Sequence, residues 1–151
     1  MNFERVCVDA SLAVTWLLRI QQDEYADALR RQWLADGVEM IGPPMFHAEV
    51  TSVLREEVFF KRLSQEEGEE AFSLYSSIPI RIVDGIMVYR LAWELAKEFN
   101  LPVCYDMQYL AVAELEDCDF WTLDRKLVKA LRLKGNKRVK WVGEHKDKKS
   151  V

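Results

Sequence analysis

Short apolar runs alternate along the chain with longer segments in which apolar residues recur at helical spacing. The run from Arg5 to Asp9 is rich in valine and predicts a buried strand, and the segment from Asp23 to Ala35 predicts an amphipathic helix closed by Gly37. The same patterns predict further strands over residues 38–41, 80–83, 120–123 and 138–142, and further helices over 10–18, 45–63, 64–75, 87–99, 104–115 and 124–133. Such an alternation is typical of a parallel sheet that is covered by helices on both faces.

Length and composition fit a single domain. The chain has 151 residues, of which 50% are hydrophobic and 30% are charged, and no internal repeat or low-complexity linker divides it. We predict one domain over residues 1–143 and a basic, flexible tail over residues 144–151.

The cysteines and the apolar runs bear on the cellular setting. Cys7, Cys104 and Cys118 are widely spaced in apolar surroundings, as reduced core thiols of a cytosolic protein are, which argues against a zinc ribbon or a disulfide scaffold. No apolar run approaches the ~18–20 residues of a membrane span, and the N-terminal segment lacks the regions of a signal peptide. These features predict a cytoplasmic protein that does not contact a membrane.

Charge is divided unevenly along the chain. Residues 1–124 hold 10 basic and 23 acidic side chains, whereas residues 125–151 hold 11 basic and 2 acidic ones. Two interpretations of the basic end stay open, a solvated and frayed terminus or an arm that binds phosphate groups.

Two aspartates follow predicted strands. Asp9 comes directly after the first strand, and Asp124 comes directly after the strand over residues 120–123. Ligands of doubly wound folds bind at the carboxyl ends of the strands, so both side chains are candidates for a functional site. Each aspartate also suits the N-cap of the helix that follows it, which is a purely structural role.

Two further acids lie on helices, at positions expected to face inward. Glu49 lies on or beside the apolar stripe of the helix over residues 45–63, and Asp106 shares its helix face with Tyr109 and Leu110. A salt bridge at the edge of the stripe would account for Glu49, and the helix dipole would account for Asp106. If all four acids converge, they repel one another unless a cation lies between them, and oxygen ligands of this kind suit Mg²⁺ or Mn²⁺.

Four segments that contain these acids share the order and spacing of one known family. They are Val8-Asp9-Ala10-Ser11, Pro43-Pro44-Met45-Phe46-His47-Ala48-Glu49-Val50, Val103 to Ala113, and Trp121-Thr122-Leu123-Asp124-Arg125-Lys126-Leu127. This pattern resembles the PIN-domain ribonucleases, in particular the VapC-type toxins of prokaryotic toxin–antitoxin pairs. The third segment is similar to the family's Tyr-Asp-x-x-Tyr-Leu-Ala-x-Ala helix, with Met107 where small residues are common.

The resemblance implies a fold, an activity and partners. The fold would be a three-layer α/β/α sandwich with a central, mostly parallel sheet of four to five strands. The activity would be that of an Mg²⁺- or Mn²⁺-dependent endoribonuclease that cleaves RNA phosphodiester bonds by metal-activated water. The partners would be an RNA substrate, a cognate antitoxin, and a second copy of the chain in a homodimer.

The resemblance also assigns roles to residues of this sequence. The catalytic residues, which would also be the metal ligands, are Asp9, Glu49, Asp106 and Asp124. The supporting hydroxyls would be those of Ser11 and Thr122. Basic residues must offset the repulsion between an acidic site and RNA. The predicted RNA-binding residues are Arg125, Lys137, Arg138 and Lys140.

Three other functions stay open. A phosphoacceptor module that resembles a response-regulator receiver domain also has strand-end aspartates, but it needs an acidic pair near the first strand, and only Asp9 ends that strand here. A catalytically silent interaction domain would use the same fold and the same acids for partner binding alone. A stand-alone PIN-domain nuclease in RNA processing would need no antitoxin.

Overall fold

A computed structural model describes residues 4–148 of the chain. The strands are β1 (Arg5–Val8), β2 (Glu39–Gly42), β3 (Ile80–Ile82), β4 (Asp119–Thr122) and β5 (Val139–Trp141). The helices are α1 (Ala10–Leu17), α2 (Glu24–Asp36), α3 (Met45–Phe59), α4 (Gln65–Ser76), α5 (Ile86–Glu98), α6 (Tyr105–Leu115) and α7 (Arg125–Leu133). Short 3₁₀ segments cover Arg19–Gln21 and Val142–Lys148. The predicted alternation of strands and helices is confirmed.

The five strands form one parallel sheet in the order β3-β2-β1-β4-β5. From β1 the chain adds strands first on one side and then on the other, so the order reverses between β1 and β4. Right-handed crossovers place the helices of these two halves on opposite faces of the sheet. The predicted three-layer α/β/α sandwich is confirmed, and its ligand-binding crevice is expected at the carboxyl ends of β1 and β4.

The core lies around β1 and α6. Strand β1 is the middle strand and is buried on both faces, which explains its continuous apolar sequence. Helix α6 packs against β1, β2 and β4, and Leu110 and Ala111 are fully buried within it. The ring of Tyr109 stacks on Phe120 of β4 at 5.6 Å with an interplanar angle of 13°. The start of α6, which carries Asp106, is therefore anchored on the centre of the sheet.

Helix α3 ends earlier than the sequence pattern predicts. The prediction extended this helix to Leu63, but the helix ends at Phe59, and Lys61 adopts a left-handed backbone with φ of 59°. The N–H groups of Arg62 and Leu63 both donate to the carbonyl of Glu57, so the chain turns back and buries Leu63. The apolar periodicity continues through this turn, because Leu63 packs inward from a loop.

The predicted start of the next helix is confirmed. The Ser64 hydroxyl accepts from the N–H of Glu67 at 3.1 Å, and the Glu67 carboxylate accepts from the N–H of Ser64 at 3.1 Å. This reciprocal pair is the capping box that Ser-x-x-Glu predicts.

The basic end of the chain continues beyond β5. Residues Val142–Lys148 form a 3₁₀ segment that contacts α2, with Glu144 paired to Arg132 and His145 buried. Residues 149–151 of the predicted tail lie outside the described residues. The domain boundary at residue 143 and the flexibility beyond it stay predictions.

The cysteines and helices agree with the sequence patterns as far as they are described. All three cysteines are free thiols; Cys7 and Cys118 are buried and Cys104 is half-buried. Within residues 4–148, no helix combines the length and the apolar character needed to cross a bilayer.

Candidate active site at the carboxyl edge of the sheet

Asp9 occupies the end of the central strand. Its N–H donates to the carbonyl of Trp121 at 3.1 Å, which extends the pairing of β1 with β4 by one residue. One carboxylate oxygen accepts from the N–H of Ser11 at 3.4 Å and so caps α1, and the other accepts from the hydroxyl of Thr122 at 2.6 Å. Burial raises the pKa of Asp9, the hydrogen bonds from Thr122 and Ser11 oppose that rise, and the charge of Asp106 adds to it.

Thr122 connects the two strand ends. Besides donating to Asp9, its hydroxyl accepts from the N–H of Asp124 at 3.1 Å. Asp124 in turn accepts from the N–H of Leu127 at 3.0 Å and caps α7. The expected capping roles of Asp9 and Asp124 are therefore both formed, and Ser11 and Thr122 both lie against Asp9.

Glu49 is held by a residue that the sequence patterns did not single out. Glu49 is half-buried on α3, and its carboxylate accepts from the Tyr109 hydroxyl at 2.8 Å. Burial raises the pKa of Glu49, the bond from Tyr109 lowers it, and the charges of Asp9 and Asp106 raise it further. Burial and the charges of Asp9 and Glu49 also raise the pKa of Tyr109, so its hydroxyl stays a donor.

A signal for Tyr109 was present in the sequence. Tyr109 lies three residues after Asp106 on the inward face of α6, and it is 1% exposed. A buried tyrosine hydroxyl requires a hydrogen-bond partner. A partner on another element is therefore expected, but no sequence pattern indicates that α3 supplies it.

Asp106 completes the acidic group from the first turn of α6. Loss of hydration raises the pKa of Asp106, and the charge of Asp124 raises it further. Asp106 in turn raises the pKa values of Asp9 and Glu49. Asp9, Glu49 and Asp106 therefore lie close enough to act on one another, and Asp124 joins the group through Asp106. Among the described residues, none of the four has a lysine, arginine or histidine within ion-pair distance.

The donor chemistry of this group fits a hard divalent cation. All four side chains offer carboxylate oxygens, which Mg²⁺ and Mn²⁺ prefer. Within the described part of the chain, no three Asp, Glu, His or Cys side chains are already gathered into a coordination shell. Mg²⁺ commonly binds through one or two carboxylates and keeps several waters, so the residues fit such an ion without a closed cage.

The predicted RNA-binding residues lie at different ends of the sheet. Arg125 follows Asp124 at the carboxyl edge, and Lys140 lies in the middle of β5. Lys137 and Arg138 precede β5, and Arg138 donates to the Asp117 carboxylate at 2.9 Å and to a carbonyl before β4 at 3.3 Å. Lys137 and Arg138 are therefore separated from the acidic group by the length of a strand.

Comparison with known proteins identifies the family. The sequence matches the PIN domain over residues 6–132. The chain therefore belongs to the PIN-domain family. PIN domains are generally nucleases, and those nucleases usually use divalent metal ions. A comparison with curated protein sequences gives no significant match.

Two solved structures share the fold. One is the crystal structure of VapBC2 from Rickettsia felis bound to a DNA fragment from their promoter, with a TM-score of 0.65, 15% identity and coverage of 91% of this chain and 98% of that chain. The other is PAE2754 from Pyrobaculum aerophilum, with a TM-score of 0.59, 18% identity and coverage of 95% and 93%. At these identities the likeness establishes the fold alone.

Proposed function

We propose that this protein is an Mg²⁺- or Mn²⁺-dependent endoribonuclease that hydrolyses RNA phosphodiester bonds with metal-activated water, and that it is the toxin of a toxin–antitoxin pair. The observation that carries the proposal is the group of four carboxylates near the carboxyl ends of β1 and β4. Asp9, Glu49 and Asp106 have raised pKa values, Asp124 caps α7, and none of the four has a basic partner among the described residues. Perturbed carboxylates in a crevice of this kind are typical of functional sites.

Asp9, Glu49, Asp106 and Asp124 would hold the ion. When bound, it would supply positive charge at the scissile phosphate and activate water for attack. The surrounding residues orient these ligands: Thr122 fixes the Asp9 carboxylate from β4. Tyr109 engages one oxygen of Glu49 and leaves the other for a ligand.

RNA must approach this acidic group against charge repulsion. Cations on the exposed side of α7 and after it would offset that repulsion. Arg125 is the predicted RNA-binding residue nearest to the carboxylates along the chain. Lys137, Arg138 and Lys140 would contact the RNA only if it continues along β5 towards the amino ends of the β-strands.

The toxin role, the antitoxin and the homodimer belong to the same proposal. Membership of the PIN-domain family and the shared fold of VapBC2 support a search for a cognate antitoxin. Large apolar side chains exposed on α3, α4 and α5 are available for protein contacts, among them Phe59, Phe72 and Trp93. Function in the cytoplasm would follow from an RNA substrate inside the cell.

A second candidate is a catalytically silent interaction domain. The capping bonds of Asp9 and Asp124 favour it, because they give both acids a structural role without any metal. The two candidates predict different results for a variant that lacks one of the four acids, because only the nuclease would lose RNA cleavage.

Cleavage of total cellular RNA in the presence of Mn²⁺, with and without a chelator, tests the proposal. The Asp106→Asn variant should lose at least about a hundredfold in cleavage rate, because a ligand contributes more than the 10–100-fold typical of an outer-shell partner. Asp27→Asn is the matched control, since Asp27 also lies in the first turn of a helix, away from the acidic group. Equal cleavage by the two variants, or full cleavage in the chelator, would contradict the proposal.

A further inference from the structure

The guanidinium of Arg125, the residue directly after Asp124, lies over the ring of Trp141. Arg125 is the first residue of α7, and its guanidinium carbon lies 4.9 Å from the centroid of the Trp141 ring. Trp141 of β5 pairs in register with Thr122 of β4. The Thr122 hydroxyl binds the Asp9 carboxylate, so only β4 separates Trp141 from the carboxyl end of β1.

The position of the Trp141 ring depends on a glycine. A Cβ atom added to Gly143 would lie 2.4–2.6 Å from three adjacent carbons of the six-membered ring of Trp141. The near-equal distances place that atom over the face of the ring, where no side chain fits. The absence of a side chain at residue 143 therefore allows the indole to lie against the backbone and to present a fixed surface to Arg125.

Arg125 differs from most arginines of the chain in its partners. Arginines that pair with carboxylates are Arg5, Arg62, Arg81, Arg90, Arg132 and Arg138. Arg125 is exposed, and within residues 4–148 no carboxylate lies within ion-pair distance of it. A cation–π contact with Trp141 uses no N–H donor, so the donors of Arg125 stay available to an acceptor.

We propose that Arg125, held over the ring of Trp141, is a phosphate subsite for single-stranded RNA close to Asp124 of the acidic group. The planar guanidinium matches two oxygens of one phosphate, and its contact with Trp141 restricts the arginine side chain before RNA binds. The neighbouring carboxylates disfavour a free anion, so the ligand is a strand whose other phosphates make further contacts. This inference rests on the proposed nuclease function, because that function supplies the RNA.

Fluorescence anisotropy with a short labelled oligouridylate tests the subsite. Every protein carries Asp9→Asn, and a gel confirms that the RNA stays intact. Arg125→Gln should weaken binding about tenfold, as expected for one charge-assisted contact, and should lower the salt slope by about 0.7. Arg125→Lys and Trp141→Leu both keep the positive charge of residue 125, so the salt slope should not change. Binding should weaken about threefold, because the first variant removes the planar guanidinium and the second removes the ring that holds it.

Arg30→Gln is the matched control. Arg30 also lies over a tryptophan ring, 5.2 Å from the centroid of Trp16, but on α2, which carries none of the four acids. Its substitution also removes one positive charge and should change affinity less than about twofold. Thermal melting of each variant checks that the fold is retained.

The outcomes separate this inference from the proposed function. If the Asp9→Asn parent protein binds RNA and Arg125→Gln weakens binding no more than Arg30→Gln does, the subsite is overturned and the nuclease proposal stands. If Trp141→Leu lowers the melting temperature but leaves RNA affinity unchanged, Trp141 has only a structural role and its part in the subsite is overturned. If inorganic phosphate competes as well per phosphate as the oligouridylate does, a single-stranded RNA is not the ligand. If the folded Asp9→Asn parent protein binds no RNA, the substrate in both proposals is overturned.

Discussion

Acidic residues at the amino ends and at the carboxyl ends of the strands, here called the amino edge and the carboxyl edge, differ in whether they have basic partners. At the amino edge, three acids have arginine partners within the chain: Arg5–Glu39 at 3.7 Å, Arg5–Glu116 at 3.1 Å, Arg81–Glu39 at 2.8 Å, Arg81–Glu116 at 3.4 Å and Arg138–Asp117 at 2.9 Å. At the carboxyl edge, the four predicted site acids have no basic partner among the described residues. Three arginines therefore form ion pairs with acids of the amino edge, whereas none does so with the four acids of the carboxyl edge among the described residues.

The pKa shifts at the two edges run in opposite directions. The hydrogen bond from Arg81 lowers the pKa of Glu39. Burial and the charges of Asp9 and Asp106 raise the pKa of Glu49, although both residues are glutamates on the same fold. The proposed metal site would account for this contrast, because a bound cation would supply the positive charge that the carboxyl edge lacks.

Outside the four acids themselves, the largest expected effect comes from the bond that joins the two strand ends. Thr122→Val keeps the shape of a fully buried side chain but removes the donor to Asp9. We expect the rate of metal-dependent RNA cleavage to fall about 10–100-fold, the range for partners that orient metal ligands. Thr15→Val is the control, because it removes a buried hydroxyl that donates to the Leu12 carbonyl at 2.7 Å, within α1. Equal losses of cleavage in the two variants would contradict a specific role for the bond between Thr122 and Asp9.

A smaller effect is expected for the residue that orients Glu49. Tyr109→Phe keeps the ring stacked on Phe120 and removes only the hydroxyl that donates to Glu49. Affinity for Mn²⁺, measured by calorimetry, should fall about tenfold, at the low end for an outer-shell partner. Tyr89→Phe also removes a tyrosine–carboxylate bond, to Asp84 at 3.2 Å, and should leave Mn²⁺ affinity unchanged. An unchanged affinity in Tyr109→Phe would make its contact with Glu49 purely structural.

The smallest expected effect is on the free energy of unfolding, which Asp9 and Glu39 should make depend on pH in opposite directions. Without divalent ions the folded state holds protons on Asp9 more tightly than the unfolded chain does, so its contribution to stability falls as the pH rises from the ordinary value of 3.8 through the raised pKa. Glu39 has the opposite sign, because its stabilising contribution is lost as the pH falls from 4.5 through the lowered pKa.

Thermal melting in a chelator, from about pH 4 to about pH 8, compares these two contributions. Relative to the unmodified protein, Asp9→Asn should gain stability towards high pH, and Glu39→Gln should lose it there. The Glu39→Gln change should be within about 1 kcal/mol, since its ion pairs are exposed. The same direction of change in both variants would contradict the contrast between the edges.

The sequence predicted one half of the acidic group for a clear physical reason. Asp9 and Asp124 each follow a strand, and parallel strands bring their carboxyl ends to one edge, so their proximity follows from the sheet alone. Glu49 and Asp106 lie on helices from opposite faces of the sheet, and only the packing of α3 and α6 decides whether they meet. Their inward-facing positions made both acids candidates, and the family resemblance then assigned them to one site with Asp9 and Asp124.

Two other features could not be read from sequence patterns. The end of α3 at Phe59 depends on a left-handed Lys61, and no glycine or proline marks that turn. The basic residues after Asp124 were predicted as one RNA-binding set from their charge. The structure separates Arg125 from Arg138 by the length of β5, because the position of a residue relative to the strand ends decides which edge it reaches.

Calorimetric titration of Mn²⁺ into the unmodified protein, Asp9→Asn and Asp23→Asn tests the central claim most directly. Asp23 caps α2 by accepting from the N–H groups of Tyr25 and Ala26, at 2.8 and 3.0 Å, so its variant controls for the capping role of Asp9. We predict saturable binding to the unmodified protein and to Asp23→Asn, and loss of that binding in Asp9→Asn. Folded, unmodified protein that binds no Mn²⁺, or Asp9→Asn that binds it equally well, would contradict a metal site at the carboxyl edge.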